Sequence, residues 1–83
     1  MAPTPEARAL AVEIGRRLKK ALDRLSGRQR SVFVLKHYED RTFQEIGVIL
    51  GLDTGTVKAH LSRALRKLRA ELKDLYGTHA SER

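Results

Sequence analysis

The sequence predicts an all-α fold, a small four-helix domain with a helix-turn-helix in its second half. Three observations lead there. Apolar residues recur every three or four positions in two long stretches, from Leu10 to Leu25 and from Val57 to Leu75, which is the period of a helix with one inward face. Two Ser/Thr-x-x-Gln/Glu patterns, Ser26 with Gln29 and Thr42 with Glu45, mark helix starts between those stretches, because each hydroxyl and each carboxamide or carboxylate can satisfy an orphan amide of the first turn. No alternating run, internal repeat or low-complexity stretch points to a strand or an array.

The first four residues, with Pro3, read as a disordered lead, and Pro5 suits the first helical position behind a Thr4 cap. The first helix is expected over about residues 5–24, with Leu10, Ile14, Leu18, Leu22 and Leu25 inward and Arg16, Lys19, Lys20 and Asp23 opposite. A second helix follows the Ser26 cap to about Glu39, its apolar content being Val32, Phe33, Leu35 and Tyr38. Glu39-Asp40-Arg41 is a polar break. A short third helix opens at the Thr42 cap and runs to about Leu50, with Phe43, Ile46, Gly47 and Leu50 inward. Gly51 suits the left-handed turn after a helix end, and Asp53 is a good cap for the next. The last helix is expected from about Thr54 to Leu75, with Val57, Leu61, Leu65, Leu68, Leu72 and Leu75 on one face. This gives a lead over 1–4, a helical domain over 5–76 with the helix-turn-helix at 43–62, and a flexible tail over 77–83.

Composition narrows the function. The 83 residues hold 17 Lys and Arg against 10 Asp and Glu, a formal net charge of +7. One small domain is all that length allows, and such a chain buries only about 60% of its unfolded surface. With no cysteine, neither a disulfide nor a thiolate zinc site is available. No apolar run approaches the ~20 residues of a membrane span and no secretory leader pattern is present, so a soluble, cytoplasmic protein is expected. A basic balance favours an anionic partner, nucleic acid first. The surplus is local: residues 26–53 are neutral, whereas 1–25 carry +3 and 54–83 carry +4.

Residues 43–62 have the layout of a helix-turn-helix. Ile46, Leu52, Val57 and Leu61 would fill the wedge between the two helices, Gly47 would let them approach, and Gly51 would make the turn. On the outward face of the second helix, Gly55, Ala59, Ser62, Arg63 and Arg66 share one stripe, with Lys58 and Lys67 beside it. Small residues early in the stripe allow close approach to a groove floor. Arg63 suits a guanine edge or a phosphate, and Thr56, at the positive helix end, suits a phosphate. Arg69 and Lys73, late in the helix, are better read as complementing its negative end. His60 suits a phosphate contact. It has no metal-ligating partner at suitable spacing, since His37 and His79 are remote. Ser26, Ser31, Ser62 and Glu45 sit in capping or helical contexts, so no catalytic constellation, metal site or cofactor is expected.

Ala21-Leu22-Asp23-Arg24-Leu25, Arg28-Gln29-Arg30-Ser31-Val32-Phe33-Val34-Leu35, Tyr38-Glu39-Asp40-Arg41-Thr42-Phe43-Gln44-Glu45-Ile46-Gly47 and Gly55-Thr56-Val57-Lys58-Ala59-His60-Leu61-Ser62-Arg63-Ala64 resemble region four of sigma-70 family RNA polymerase sigma factors, most closely the extracytoplasmic-function (ECF) group. The resemblance covers about residues 18–75. It implies a winged-helix-like DNA-binding domain without a wing, recognition of the promoter minus-35 element in the major groove of double-stranded DNA, and docking on the β flap of core RNA polymerase. An anti-sigma factor is a further partner of that class. Carried over residue by residue, Lys58, Ala59, Ser62 and Arg63 take base-facing positions. Arg41, Thr42, Thr56 and His60 take phosphate positions, with Arg66 and Lys67 further along. The chain departs from the family at Ser26-Gly27, where a proline is usual, at Ala59-His60, where Ser-Arg is frequent, and at Gly47, usually alanine. It carries no region-two-like segment, so it is expected to be an excised C-terminal domain or a stand-alone region-four protein. Two alternatives stay open: a LuxR/GerE-type regulator output domain, which shares a Thr-Val-Lys-x-His-Leu segment, and a region-four-like module that mainly binds an anti-sigma factor or polymerase.

Overall fold

A computed structural model describes residues 4–73. The expected tail and the far end of the last helix at Leu75 lie outside them, as do Met1–Pro3 of the lead. Four helices follow one another, α1 (Pro5–Asp23), α2 (Gly27–His37), α3 (Phe43–Leu50) and α4 (Thr54–Glu71), and no strand occurs among the described residues.

Each helix starts where local chemistry places it. The Thr4 hydroxyl accepts from the Ala7 amide, ahead of Pro5. Both capping boxes close: the Gln29 amide donates to Ser26 Oγ at 3.2 Å and the Ser26 amide to Gln29 Oε1 at 3.2 Å, while Glu45 and Thr42 exchange the same pair of bonds at 3.1 and 2.9 Å. Gly51 adopts φ 71°, the left-handed region where a Cβ is disfavoured. The second helix stops at His37, short of the expected Glu39, with Tyr38 as its C-cap. Its end is wound shut by the Tyr38 and Glu39 amides on the Val34 carbonyl and by the Arg41 amide on that of Leu35. Asp40 enters the left-handed region at φ 55° to make this closure, a conformation short polar side chains tolerate better than most. The fourth helix closes at Glu71 with Leu72 as its C-cap.

The core has two lobes threaded by α4. One holds Val32, Ile46, Val57 and Leu61, with Phe43, Leu50 and Leu52 packed against it. The other holds Ala21, Leu25, Ala64 and Leu68, with Leu18 and Leu22 against it. Phe33 and Leu65 touch both. In the second lobe the most buried pair is Ala21 and Ala64, at 1% and 0% exposure; small side chains let two helix backbones come close, which a leucine periodicity does not reveal. The expected inward stripe of α1 is only half buried: Leu10 and Ile14 are 56% and 44% exposed, and Val12 lies open beside them. Among the described residues, the core lobe shared by α1 and α4 takes in Leu18, Ala21 and Leu22 of α1.

Two arginines of α2 serve the fold. Arg30 donates to the carbonyl of Leu22 in the last turn of α1 and to that of Leu25 just beyond it, at 3.2 and 3.4 Å. Arg28 donates to the Leu50 carbonyl at the end of α3, at 3.4 Å. Positive side chains on the last carbonyls of a helix satisfy orphan acceptors and oppose the negative dipole end.

Candidate nucleic-acid interface

The wedge between α3 and α4 is tight. Ile46 and Val57 are fully buried, Leu61 and Gly47 are buried and Leu52 is half-buried. At Gly47 the nearest obstacle is the turn itself: a Cβ there would sit 2.5 Å from the Leu52 carbonyl oxygen and 3.9 Å from Val57 Cγ2. The Leu52 amide donates to the Gly47 carbonyl at 2.8 Å, so one residue closes the turn and leaves room for it. Backbone contact at the turn thereby leaves no room for a side chain at this position.

With Val57, Leu61, Ala64 and Leu68 turned inward, α4 presents Lys58, Ser62, Arg63, Arg66 and Lys67 to solvent, and Ala59 is half-buried at the edge of that surface. The charges of the two basic helices differ in how far they are neutralised. On α1, Arg16 and Arg17 lie 3.4 and 3.2 Å from Glu13, and Lys19 lies 3.7 Å from Asp23. Arg24 reaches across to Glu71 at 3.3 Å. Among the described residues no carboxylate pairs with Lys58, Arg63, Arg66 or Lys67. The outward face of α4 therefore carries four positive charges that no carboxylate among the described residues neutralises by a direct pair.

At the start of α4 the donors expected to meet phosphate are already engaged. The Thr56 amide donates to Asp53 Oδ1 at 2.7 Å and the Thr56 hydroxyl to Asp53 Oδ2 at 3.1 Å. Those two bonds, the amide first, hold the Asp53 carboxyl below its usual range and keep it ionised. Thr42 is likewise engaged with Glu45: its hydroxyl oxygen accepts from the Glu45 amide, and its amide first, then its side chain, hold the Glu45 carboxyl below its usual range; Thr42 and Arg41 are both exposed. His60 is half-buried, and its Nδ1 is buried without a hydrogen-bond partner, so a phosphate contact from His60 has to run through Nε2. The site expected from the sequence thus divides into an exposed stripe of Lys58, Ser62, Arg63, Arg66 and Lys67, two exposed residues at the α3 start, and three half-buried residues, Thr56, Ala59 and His60.

Lys36 was not singled out from the sequence, where a lysine in the last turn of α2 reads as a helix-end charge. Its Nζ lies 4.6 Å from the Phe43 ring centroid, and Lys58 Nζ lies 5.4 Å from the same centroid. The sequence carries no signal for this meeting, since Phe43 reads there only as an inward residue of the third helix. No group of three or more His, Asp or Glu able to hold a metal occurs among the described residues, and none of their helices is long and apolar enough to cross a membrane.

Comparison with known proteins agrees with this geometry. Residues 15–68 match the family model described as Sigma-70, region 4, a span from the middle of α1 almost to the end of α4. The RNA polymerase sigma-E factor of Streptomyces antibioticus is 47% identical over 55 residues, 66% of this chain and 31% of that protein. The ECF RNA polymerase sigma factor SigW of Bacillus subtilis is 34% identical over 71 residues, 86% of this chain and 38% of its own length. The ECF RNA polymerase sigma factor SigE of Mycolicibacterium smegmatis is 35% identical over 80 residues, 96% of this chain and 30% of its own. The chain spans about a third of the length of these curated relatives. With its four helices, its tight helix-turn-helix and a match across most of its length, the chain belongs to the sigma-70 region 4 family and is ECF-like within it.

Proposed function

We propose that the chain is the promoter-reading domain of an ECF-type sigma factor, acting in transcription initiation in the cytoplasm as a DNA-binding module rather than an enzyme. α4 lies in the major groove of the minus-35 element. Lys58, Ala59, Ser62 and Arg63 face base edges, and Arg41, Thr42, Arg66 and Lys67 meet the flanking phosphates. The observation that carries this reading is the unpaired basic stripe on α4, the helix that follows the turn closed by the Gly47–Leu52 contact. An N-terminal half of a recognition helix supported in this way is what groove insertion needs. Phosphate contact by Thr56 requires its hydroxyl proton to leave Asp53, because a phosphate oxygen only accepts, so Thr56 and His60 are secondary members of the set. The family match favours this reading over a LuxR/GerE-type output domain.

Core polymerase, through its β flap, and an anti-sigma factor are the proposed protein partners. Their support is the exposed apolar surface outside α4: Leu10, Val12 and Ile14 on α1, and Val48 and Ile49 on α3, the last two 84% and 53% exposed. Titration of the domain against a minus-35-like duplex at several salt concentrations tests the DNA reading. Each phosphate contact releases a counterion, so affinity should fall linearly in log–log form with a slope of about −0.9 per contact. A flat dependence, or no binding at low salt, refutes direct DNA recognition.

A further inference from the structure

Three helices bring two ammonium groups to one aromatic ring. Phe43 is half-buried and packs against the lobe formed by Val32, Ile46, Val57 and Leu61, so its ring is held in place by the core. Lys36 arrives from the last turn of α2 and Lys58 from the first turns of α4, with their Nζ atoms 4.6 and 5.4 Å from the ring centroid. The two like charges therefore lie within about 10 Å of each other, where they repel, and among the described residues neither is paired with a carboxylate. The nearest acid on α3, Glu45, is committed to the Thr42 amide. A ring face attracts each ammonium and fixes its direction, but it carries no negative charge to cancel the pair. A shared anion would. Phe43 is itself the first residue of α3, so the positive N-terminal end of that helix lies beside the ring.

We infer that Lys36 and Lys58, oriented by the Phe43 ring, form a two-armed phosphate clamp that holds the DNA backbone across α2 and α4. This rests on the DNA reading above and extends the interface to a helix outside the helix-turn-helix. Phe43 is a positioning residue in it, since its ring has no donor of its own. The clamp contributes affinity and register without base preference, because phosphates carry no sequence information.

The test compares Lys36→Gln with the wild-type domain on a minus-35-like duplex and on an unrelated duplex, across 50–200 mM salt. Lys19→Gln on α1, whose ammonium is paired with Asp23, serves as the control, and thermal unfolding of each variant is followed alongside. Lys36→Gln should weaken both duplexes alike. It should reduce the fall in affinity across that salt range by about 3.5-fold, the share of one released counterion, with an unchanged unfolding midpoint. Lys36→Arg should restore the wild-type slope. A Lys36→Gln slope equal to that of Lys19→Gln overturns the clamp while leaving the DNA reading intact. Absence of binding by the wild-type domain at 50 mM salt overturns the DNA reading itself.

Discussion

The contact between Gly47 and Leu52 can be tested by a pair of substitutions that differ only in the space around them. Gly47 and Gly15 both lie inside helices, α3 and α1. Replacing either with alanine should gain about 1 kcal/mol from helix propensity and lost unfolded-chain freedom. At Gly15 a new Cβ meets nothing within 4 Å, so that gain should appear in full. At Gly47 the Cβ would be 2.5 Å from the Leu52 carbonyl oxygen, against the 3.4–4 Å of ordinary contact. The obstacle is backbone, and it is tied to Gly47 by the bond that closes the turn. The turn must shift to make room, and overpacking of this kind costs about 1–3 kcal/mol. Gly15→Ala should therefore raise the unfolding midpoint and Gly47→Ala should not, the two variants differing by about 1–3 kcal/mol. For a domain this small each kcal/mol is about 4–8 °C. Thermal denaturation followed by circular dichroism reads the difference, and a duplex titration below the transition reads whether the altered turn also misplaces α4. Equal midpoint shifts in the two variants would refute the claim that backbone contact at the turn leaves no room for a side chain at Gly47.

Two further outcomes are expected. Arg63→Ala should cost about 1–3 kcal/mol of DNA binding and relax preference at one base pair if Arg63 reads a base edge; a loss equal on every duplex would make it a phosphate contact. Stability should decline in acid through the two helix caps. The carboxyls of Asp53 and Glu45 are held low chiefly by the backbone amides of Thr56 and Thr42 respectively, so their folded values lie below their unfolded ones. Their contribution is complete above the ordinary carboxylate range and is lost as pH falls through the folded values. Asp53→Asn keeps a capping side chain but removes its titration, so its midpoint should change less with acid than the wild type; parallel curves for the two proteins would refute the assignment.

Much of the fold was legible because it is local chemistry. Ser26 with Gln29, Thr42 with Glu45, Gly51 and Asp53 each act on backbone within three or four residues of themselves, so their roles can be read without knowing what else is near. The end of α2 was less legible. Its closure depends on Asp40 accepting a left-handed conformation and on amides reaching back to Val34 and Leu35, a pattern with no glycine to advertise it. The α1 stripe misled for another reason. Periodicity says which residues share a face, and Leu10 and Ile14 do share one with Leu18 and Leu22. How much of that face is covered depends on where α4 crosses it. Ala21 and Ala64 carry the opposite lesson, since the most buried residues of that contact are the small ones.

The candidate site divides along the same line. The basic stripe from Lys58 to Lys67 follows from helical geometry once α4 is known to be a helix, so it could be read in advance. That Thr56 spends both its donors on Asp53, that His60 buries its Nδ1, and that Lys36 stands with Lys58 on one ring could not, because each depends on where side chains settle in three dimensions. The sequence by itself determined four helices, their caps, the tight turn and a basic outward face on α4, all set by interactions within a few residues or by the helical repeat. Only the tertiary structure decided which α1 residues are covered, how closely Gly47 approaches Leu52, and which charges face one another, because those are consequences of packing between helices far apart in the chain.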